Sequence, residues 1–275
     1  MNGQMITLYD RGGHIPLLWT HLIPATLEGR ATHNVQNAMF AAAMAFSLGL
    51  KLDAIRQGLR TFDSTFFQAP GRMNVFNEHP FKVLFDYGHN AHAVGMMADL
   101  AGRLEVAGRR IVVLAGPGDR RDEDLVAIAQ AVAGRFDHYI CRRDDGLRDR
   151  APDEVPRIQS QALRAAGIPE SAISIIPDEQ EAIEAALRMG EAGDLLLIFA
   201  DALVRSWKQI TKFKANSGAA PKAPSPPATA EPRSNGSHLE AHHDFSAPSA
   251  APQAFNLEGL IRDERGIHMA PESDD

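Results

Sequence analysis

After Pro70-Gly71-Arg72 the sequence alternates short apolar runs with longer helical patterns, and this alternation constrains the fold more than any other feature. Such alternation is typical of a mostly parallel β-sheet covered by helices. We therefore predict an α/β, Rossmann-like domain of about 140 residues, a usual size for one domain. The predicted strands are residues 73–76, 82–86, 110–115, 138–142, 174–176 and 195–199, and the predicted helices are 93–106, 123–134, 153–166, 179–189 and 203–213.

The first 62 residues have a different pattern. Two β-type runs, 5–9 and 14–19, are joined by Arg11-Gly12-Gly13, which predicts a hairpin. Apolar residues at helical spacing predict helices at 33–50 and 53–62 that pack as an antiparallel pair. Since two strands alone are marginal in water, we expect the hairpin either to join a neighbour or to have lost the sheet it belonged to.

The C-terminal fifth departs from globular composition. Residues 215–254 are rich in Ala, Pro and Ser with almost no large apolar residue, which predicts a disordered linker. Residues 255–275 form a tail in which apolar residues return among paired charges. A docking peptide and a solvated tail both remain open.

The composition indicates which binding partners and which cellular compartment to expect. A formal net charge of -7 disfavours a polyanion, so we expect no nucleic-acid partner and no membrane partner. The single Cys141 excludes an internal disulfide, and its apolar neighbours predict a buried, inert thiol. No signal-peptide pattern and no apolar stretch of about 20 residues are present, so we expect a cytoplasmic protein.

Asp86, His89 and Asn90 directly follow the predicted strand at 82–86 and precede a helix. Open α/β sheets bind ligands at the carboxyl ends of their strands, and a helix N-terminus favours anions. Asn90 could equally cap the helix, and Asp86 could simply end the strand. For His89 a hydrogen-bonding role is more economical than metal binding with His92, because no carboxylate cluster lies nearby.

A second loop, Gly116-Pro117-Gly118-Asp119-Arg120-Arg121, follows the predicted strand at 110–115. Glycines let backbone amides approach a ligand, and the arginine fork matches phosphate or carboxylate oxygens. The acidic run 122–124 is sufficiently explained by the dipole of the next helix. We therefore consider Asp119, Arg120 and Arg121 candidate ligand-binding residues.

Three further residues are candidates. Arg72 lies in the joint before the predicted sheet, where it could reach a ligand held between domains, although a surface arginine is the simpler interpretation. Asn34 could cap the first helix, but capping does not explain Asn37, which lies one turn further on. The Asn37 amide could bind the edge of an adenine base, or it could face solvent. Asp201 follows the last strand and could be a helix cap. No Gly-Lys-Ser/Thr phosphate loop occurs in the chain.

Six segments, in this order and spacing, resemble the Mur ligase superfamily and within it the cyanophycin synthetase family. Members use ATP to join a carboxylate to an amine through an acyl phosphate. The match is specific because of the combination, above all the Gly-Asp-Arg-Arg-Asp-Glu-Asp string. The segments are His33-Asn34-Val35-Gln36-Asn37-Ala38, Gly58-Leu59-Arg60-Thr61-Phe62, Pro70-Gly71-Arg72-Met73-Asn74-Val75-Phe76, Asp86-Tyr87-Gly88-His89-Asn90, Pro117-Gly118-Asp119-Arg120-Arg121-Asp122-Glu123-Asp124 and Leu260-Ile261-Arg262-Asp263-Glu264-Arg265-Gly266-Ile267.

The resemblance implies that residues 1–66 are the end of a central ATP-binding domain and that residues 67–214 are the C-terminal Rossmann-like domain that closes over ATP. The implied cofactors are ATP and Mg²⁺, with the metal ligands outside this chain. The nucleotide would contact Asn37, Arg72, Asp86, His89 and Asn90, and the incoming amino acid would face Asp119, Arg120 and Arg121.

In this family the implied reaction adds arginine to the aspartate side-chain carboxylate of an aspartate-based polymer. We expect the P-loop, the magnesium ligands and an ATP-grasp region to precede residue 1, so the expected partners include the missing ligase domains, in cis or in trans. Without them nearly all of the rate should be lost. Ala91 stands where the family often has proline, which leaves the backbone there less preset.

Other interpretations stay open at this point. One is a fragment of another Mur-type ligase, acting on folylpolyglutamate or a peptidoglycan precursor. Another is a non-catalytic ligand-binding or regulatory module that associates with a full-length synthetase. Whether the chain forms a homo-oligomer is not determined by the sequence.

Overall fold

The computed structural model describes residues 4–214, 260–263 and 266–269. Residues Met1–Pro221 belong to one compact unit and Lys222–Asp275 to another. The predicted linker at 215–254 lies outside the described residues, and the domain division at residue 66 stays a prediction. No helix among the described residues is long and apolar enough to cross a membrane.

The N-terminal segment contains the hairpin and the two helices that the sequence predicted, and the hairpin packs on the helices, which it did not predict. Strands β1 (Met5–Asp10) and β2 (Gly13–Trp19) pair antiparallel, and two short 3-10 turns lead to helices α1 (Thr32–Ser47) and α2 (Leu52–Thr61). Buried apolar side chains from all of these elements form a small core of their own. It contains Ile6, Leu8, Leu17, Leu18, Ile23, Ala38, Ala42 and Ile55.

The main sheet has six strands, and five helices follow them along the chain. The strands are β3 (Asn74–Phe76), β4 (Lys82–Asp86), β5 (Arg110–Leu114), β6 (His138–Cys141), β7 (Ile173–Ile175) and β8 (Leu195–Phe199), and the helices are α3 (Ala91–Arg103), α4 (Asp122–Val132), α5 (Glu154–Ala165), α6 (Glu179–Met189) and α7 (Leu203–Lys212). The strand order is β3-β4-β8-β5-β6-β7, with β3 antiparallel and the others parallel. The confirmed fold class is therefore mixed α/β with a mostly parallel sheet.

Helices cover both faces of this sheet. Since successive residues of a strand point to opposite faces, each strand contributes side chains to both cores. In β5, Val112 and Leu114 join the core under α3, α4 and α5, whereas Ile111 and Val113 join the core under α6 and α7. The central residues of β4, β5 and β8 are apolar on both faces for this reason. The arrangement leaves the carboxyl ends of β4, β8, β5 and β6 side by side at one edge.

Local details correct three expectations. Asn34 is not a cap: the N-cap of α1 is Ala31, and the Asn34 amide donates to the Ala25 carbonyl at 2.7 Å. The strand predicted from residue 73 begins at Asn74, because Met73 has a left-handed φ of 52° that no regular strand adopts. Asp201 is not a cap either, since the N-cap of α7 is Ala202 and the Asp201 carboxylate binds an arginine instead.

The C-terminal tail contains one element that the sequence did not predict. Strands β9 (Leu260–Asp263) and β10 (Gly266–Met269) pair antiparallel, with Gly266 opposite Asp263. The described residues of the tail segment that resembles the family are therefore paired strands.

Candidate functional site

The loops that leave β4, β5, β6 and β8 enclose a pocket of about 140 Å³, here called the strand-end pocket. Its polar lining combines acidic and basic groups at the edge of the sheet where ligands usually bind. The lining residues are Tyr87, Gly88, His89, Ala115, Pro117, Asp119, Arg120, Arg142, Asp144, Arg148, Ala200 and Asp201.

Of the predicted amino-acid-binding residues, two reach this pocket. Asp119 lines it and forms an ion pair with Arg148, and Arg120 lines it with an exposed side chain. Arg121 does not line it. Its guanidinium pairs with Asp124 at 3.0 Å on the surface, where its side chain is 76% exposed.

Asp144 is a pocket residue that the sequence reasoning missed. Burial raises the pKa of its carboxyl to about 6, and the neighbouring Asp201 adds to this, although Arg142, Arg148 and His89 oppose it. Within residues 4–214 no side chain forms an ion pair with Asp144, so its carboxylate is available to a ligand in the pocket. A positively charged ligand group would satisfy it best.

The pocket floor is formed by a fully buried arginine, which was also missed. The Arg142 guanidinium is 2.9 Å from Glu179 Oε2 and 2.7 Å from Asp201 Oδ1. It also donates to the carbonyl oxygens of Phe199 at 2.9 Å and Arg143 at 2.6 Å. This network joins the ends of β6 and β8 to the start of α6.

The two acids of this network have opposite pKa shifts. Burial raises the pKa of Glu179, which has no exposed surface, and the adjacent Asp201 carboxyl raises it further. For Asp201, burial acts to raise the pKa, but hydrogen bonding to Glu179 and the charge of Arg142 outweigh it and lower the pKa. The negative charge of the pair is therefore concentrated on Asp201, the acid that lines the pocket.

A sequence signal for these residues exists. Arg142-Arg143-Asp144-Asp145 is a run of charged residues directly after an apolar strand. The reasoning that selected Asp86 and Asp119, polar residues at the carboxyl end of a strand, applies equally to this run.

Asp86 holds the backbone rather than facing the pocket. Its Oδ2 accepts the Met73 N–H at 2.8 Å, and its Oδ1 accepts the Gly88 N–H at 2.7 Å. Burial raises the pKa of this carboxyl, whereas the two backbone bonds and the charge of Arg72 act in the opposite direction. The bond to Met73 fixes the joint that carries Arg72, whose guanidinium lies 5.8 Å from the Tyr87 ring centroid.

The other predicted nucleotide-binding residues fall in different places. His89 lines the strand-end pocket, and Asn90 caps α3 by accepting the Ala93 N–H at 2.9 Å. Asn37 and Arg72 instead share a second, mostly apolar cleft of about 530 Å³ beside α1 and α2, here called the helical cleft. The structure thus places Asn37 and Arg72 at one cleft and His89 in the other pocket. Tyr87, which lines the strand-end pocket, lies between the two: its ring is 5.8 Å from the Arg72 guanidinium and 5.2 Å from the His89 ring.

Two other candidate chemistries receive no support from the described residues. Cys141 is buried, as predicted, and burial raises the pKa of its thiol to about 12, which disfavours the reactive thiolate. No group of three or more His, Cys, Asp or Glu side chains in the described part of the chain could hold a metal ion.

Comparison with known proteins identifies the family. A model of the "Mur ligase, glutamate ligase domain" family matches residues 71–202. Over 224 residues the chain is 37% identical to cyanophycin synthetase of Trichormus variabilis, which covers 76% of this chain and 24% of that protein. Over 178 residues it is 30% identical to UDP-N-acetylmuramoyl-L-alanyl-D-glutamate--2,6-diaminopimelate ligase of Geobacter metallireducens. This match covers 60% of this chain and 34% of that protein.

Solved structures agree at the level of the fold. E. coli FolC, solved in complex with DHPP and ADP, superposes with a TM-score of 0.54 at 22% identity, covering 74% of this chain and 43% of that one. The chain spans about a quarter of the length of the cyanophycin synthetases it matches. The chain is thus homologous to cyanophycin synthetases and belongs to the Mur ligase superfamily, with residues 71–202 as its Mur ligase, glutamate ligase domain.

Proposed function

We propose that this chain is the amino-acid-binding part of an ATP-dependent ligase that adds arginine to the aspartate side chains of an aspartate-based polymer. The observation that carries the proposal is the strand-end pocket, in which a partly buried Asp144 carboxylate has no ion-pair partner within residues 4–214. Homology to cyanophycin synthetases over 76% of the chain supports the same substrate. Because the reaction consumes ATP, we place it in the cytoplasm.

On the amino-acid side, the pocket offers groups of both signs. The carboxylate of Asp144 suits the guanidinium of arginine, because charge-assisted bonds between these groups are short and strong. Arg120, which lines the pocket without an ion pair to any described residue, suits the α-carboxylate. Held at both ends, the amino acid would keep its amine directed at the activated carboxylate of the polymer.

On the nucleotide side, the helical cleft fits a nucleoside. Its volume of about 530 Å³ lies in the usual range for a small-molecule site, and its apolar walls suit a purine face. Asn37 could read the edge of the base and Arg72 could bind a phosphate. ATP would supply the phosphoryl group that activates the carboxylate.

Asp86 and Asn90 would act indirectly, by holding the joint at Arg72 and the start of α3. His89 would lie on the amino-acid side, in the strand-end pocket. The resemblance to the family assigns the Mg²⁺ ligands to the ligase domains outside this chain, and no step is derived through the ion.

The surface of α1 supports a partner that carries those domains. This helix has 16 residues with no Lys, Arg, Asp or Glu, yet Phe40 and Met44, four residues apart on one side of it, are exposed by 67% and 62%, and Leu48, directly after the helix, is exposed by 79%. Large apolar side chains that are exposed next to one another mark an interaction surface. We infer that a P-loop-bearing domain covers this face, in cis or in trans.

The test is complementation. The chain is mixed with a cyanophycin synthetase that lacks its own Mur ligase, glutamate ligase domain, and ATP, labelled arginine and an aspartate-rich primer are added. We expect arginine in the polymer only when both proteins are present. Asp144→Asn should abolish incorporation, whereas Asp149→Asn, a matched change at an exposed residue of the same loop, should not.

Two outcomes would contradict the proposal. Incorporation of diaminopimelate or glutamate instead of arginine would identify another Mur-type ligase. A chain that forms a complex but supports no incorporation, and that changes the activity of an intact synthetase, would be a regulatory module.

A further inference from the structure

Arg150 joins two loops whose residues line the strand-end pocket, although it does not line the pocket itself. Its Nε donates to the Gly118 carbonyl at 2.9 Å, and its Nη2 donates to the Arg120 carbonyl at 2.7 Å. Those two carbonyls flank Asp119, a pocket residue. Arg150 thereby fixes the backbone on either side of an acid that faces the ligand.

The same guanidinium is oriented by two acids. Its Nη2 lies 2.8 Å from Asp122 at the start of α4, and its Nη1 lies 2.7 Å from Glu154 at the start of α5. The side chain is only 16% exposed, so these bonds are partly shielded from solvent. Only a planar fork with several donors can bind two carbonyls and two carboxylates together, and a lysine cannot reproduce it.

The two loops also touch directly. A Cβ added at Gly118 would overlap the carbonyl oxygen of Leu147, so the backbones meet there with no room for a side chain. One residue further on each loop, Asp119 and Arg148 form their ion pair. Backbone contact, ion pair and guanidinium therefore connect the same short stretches of chain.

We propose that Arg150 is a positioning residue for the amino-acid substrate: it locks residues 118–121 and 144–148 into one rigid wall of the strand-end pocket. The proposal rests on the proposed function, because it presumes that the pocket binds the incoming amino acid. Arg150 contacts no ligand. Its effect on binding acts through Asp119 and Arg120.

The experiment compares the full chain carrying Arg150→Lys or Arg150→Ala with wild type and with Arg157→Ala. Arg157 is a matched control, because it pairs with one acid, Asp153, in an exposed i,i+4 pair on α5 and touches neither loop. Two quantities are measured in each protein: the Kd for L-arginine by NMR titration, and amide hydrogen exchange along the chain.

In Arg150→Lys we expect an arginine Kd about tenfold higher, equivalent to the loss of one charge-assisted hydrogen bond. Amides of residues 118–121 should exchange faster while those of β4 and β8 stay as protected as in wild type. Arg157→Ala should change neither quantity. A merely structural arginine would instead lower protection throughout the sheet, and that result would overturn the proposal.

An arginine Kd within twofold of wild type in Arg150→Lys would also overturn it. If wild type itself bound no arginine, the proposed function would fail. The hydrogen exchange of residues 118–121 would still decide whether Arg150 fixes the loop, since that measurement needs no ligand.

Discussion

Replacing Arg142 by methionine should reduce the free energy of unfolding by about 3 kcal/mol at pH 7.5, near the low end of the range for breaking a buried ion pair. Arg142 has no exposed surface, and it forms two ion pairs and two carbonyl contacts at 2.6 to 2.9 Å. Methionine fills similar volume but leaves Glu179 without this cation.

Two features of the structure limit the loss. Glu179 keeps its bonds from the Asp201 N–H at 3.0 Å, the Ala202 N–H at 3.3 Å and the Ser206 hydroxyl. Burial also raises its pKa, so the carboxyl can take up a proton once Arg142 is gone. An acid whose pKa is higher in the folded state than in the unfolded state binds its proton more tightly when the protein is folded. That stabilisation is lost as the pH rises from the unfolded pKa through the folded pKa. The variant should therefore lose further stability between about pH 5 and pH 8.

The assay is urea unfolding followed by circular dichroism and by tryptophan fluorescence, with equal slopes in all variants as a condition. Adding Glu179→Gln should recover part of the loss, about 1 kcal/mol, because the unpaired charge disappears. Arg188→Met is the control: its exposed guanidinium pairs with Glu184 at 2.8 Å on α6, outside this network, and such pairs contribute about 0 to 1 kcal/mol. A loss below about 1 kcal/mol for Arg142→Met, or no recovery in the double variant, would refute the reasoning.

Three further predictions concern the loops. Arginine affinity should fall about tenfold between pH 7 and about pH 5, because Asp144, whose pKa is about 6, must be ionised to bind a cation. Asp144→Asn should bind arginine weakly at every pH, and a variant that kept the pH profile of the wild type would contradict this prediction. Gly118→Ala should weaken arginine binding without unfolding the chain, as judged by thermal midpoint and titration, because the new Cβ must displace the Leu147 backbone. Asn74→Leu should lower the free energy of unfolding in urea by about 2 to 4 kcal/mol, because the fully buried Asn74 amide accepts the Gly71 N–H at 2.7 Å and donates to the carbonyls of Ser64 and Ala69. A loss below about 1 kcal/mol would show that the joint at Arg72 does not depend on Asn74.

Local periodicity explains why most of the fold was predictable. Apolar runs such as Leu195–Phe199 are buried in full, and both helices of the N-terminal pair lie where the spacing of apolar residues indicated. The boundaries that were missed depend on single residues in long-range contacts. Met73 leaves the strand because Asp86, far along the chain, binds its N–H.

The site was less predictable because it depends on strand order. In the sheet, β8 lies between β4 and β5, which places Asp201 beside the loops after β5 and β6. Nothing local in the sequence indicates that Arg142 pairs with Asp201, although the charged run 142–145 after β6 carries the same signal that selected Asp119. Only the packing shows that Asn37 and Arg72 line one cleft and His89 the other pocket, and their grouping around one nucleotide stays a prediction.

The central claim is that the strand-end pocket binds the incoming amino acid through Asp144. The most direct test is a ¹H–¹⁵N NMR titration of the full chain with L-arginine, repeated on Asp144→Asn and on Asp149→Asn. We predict saturable shifts confined to amides of residues 116–121 and 142–148, absent in Asp144→Asn and retained in Asp149→Asn. Saturable shifts elsewhere, none at all in the wild type, or an unchanged response in Asp144→Asn would contradict the claim.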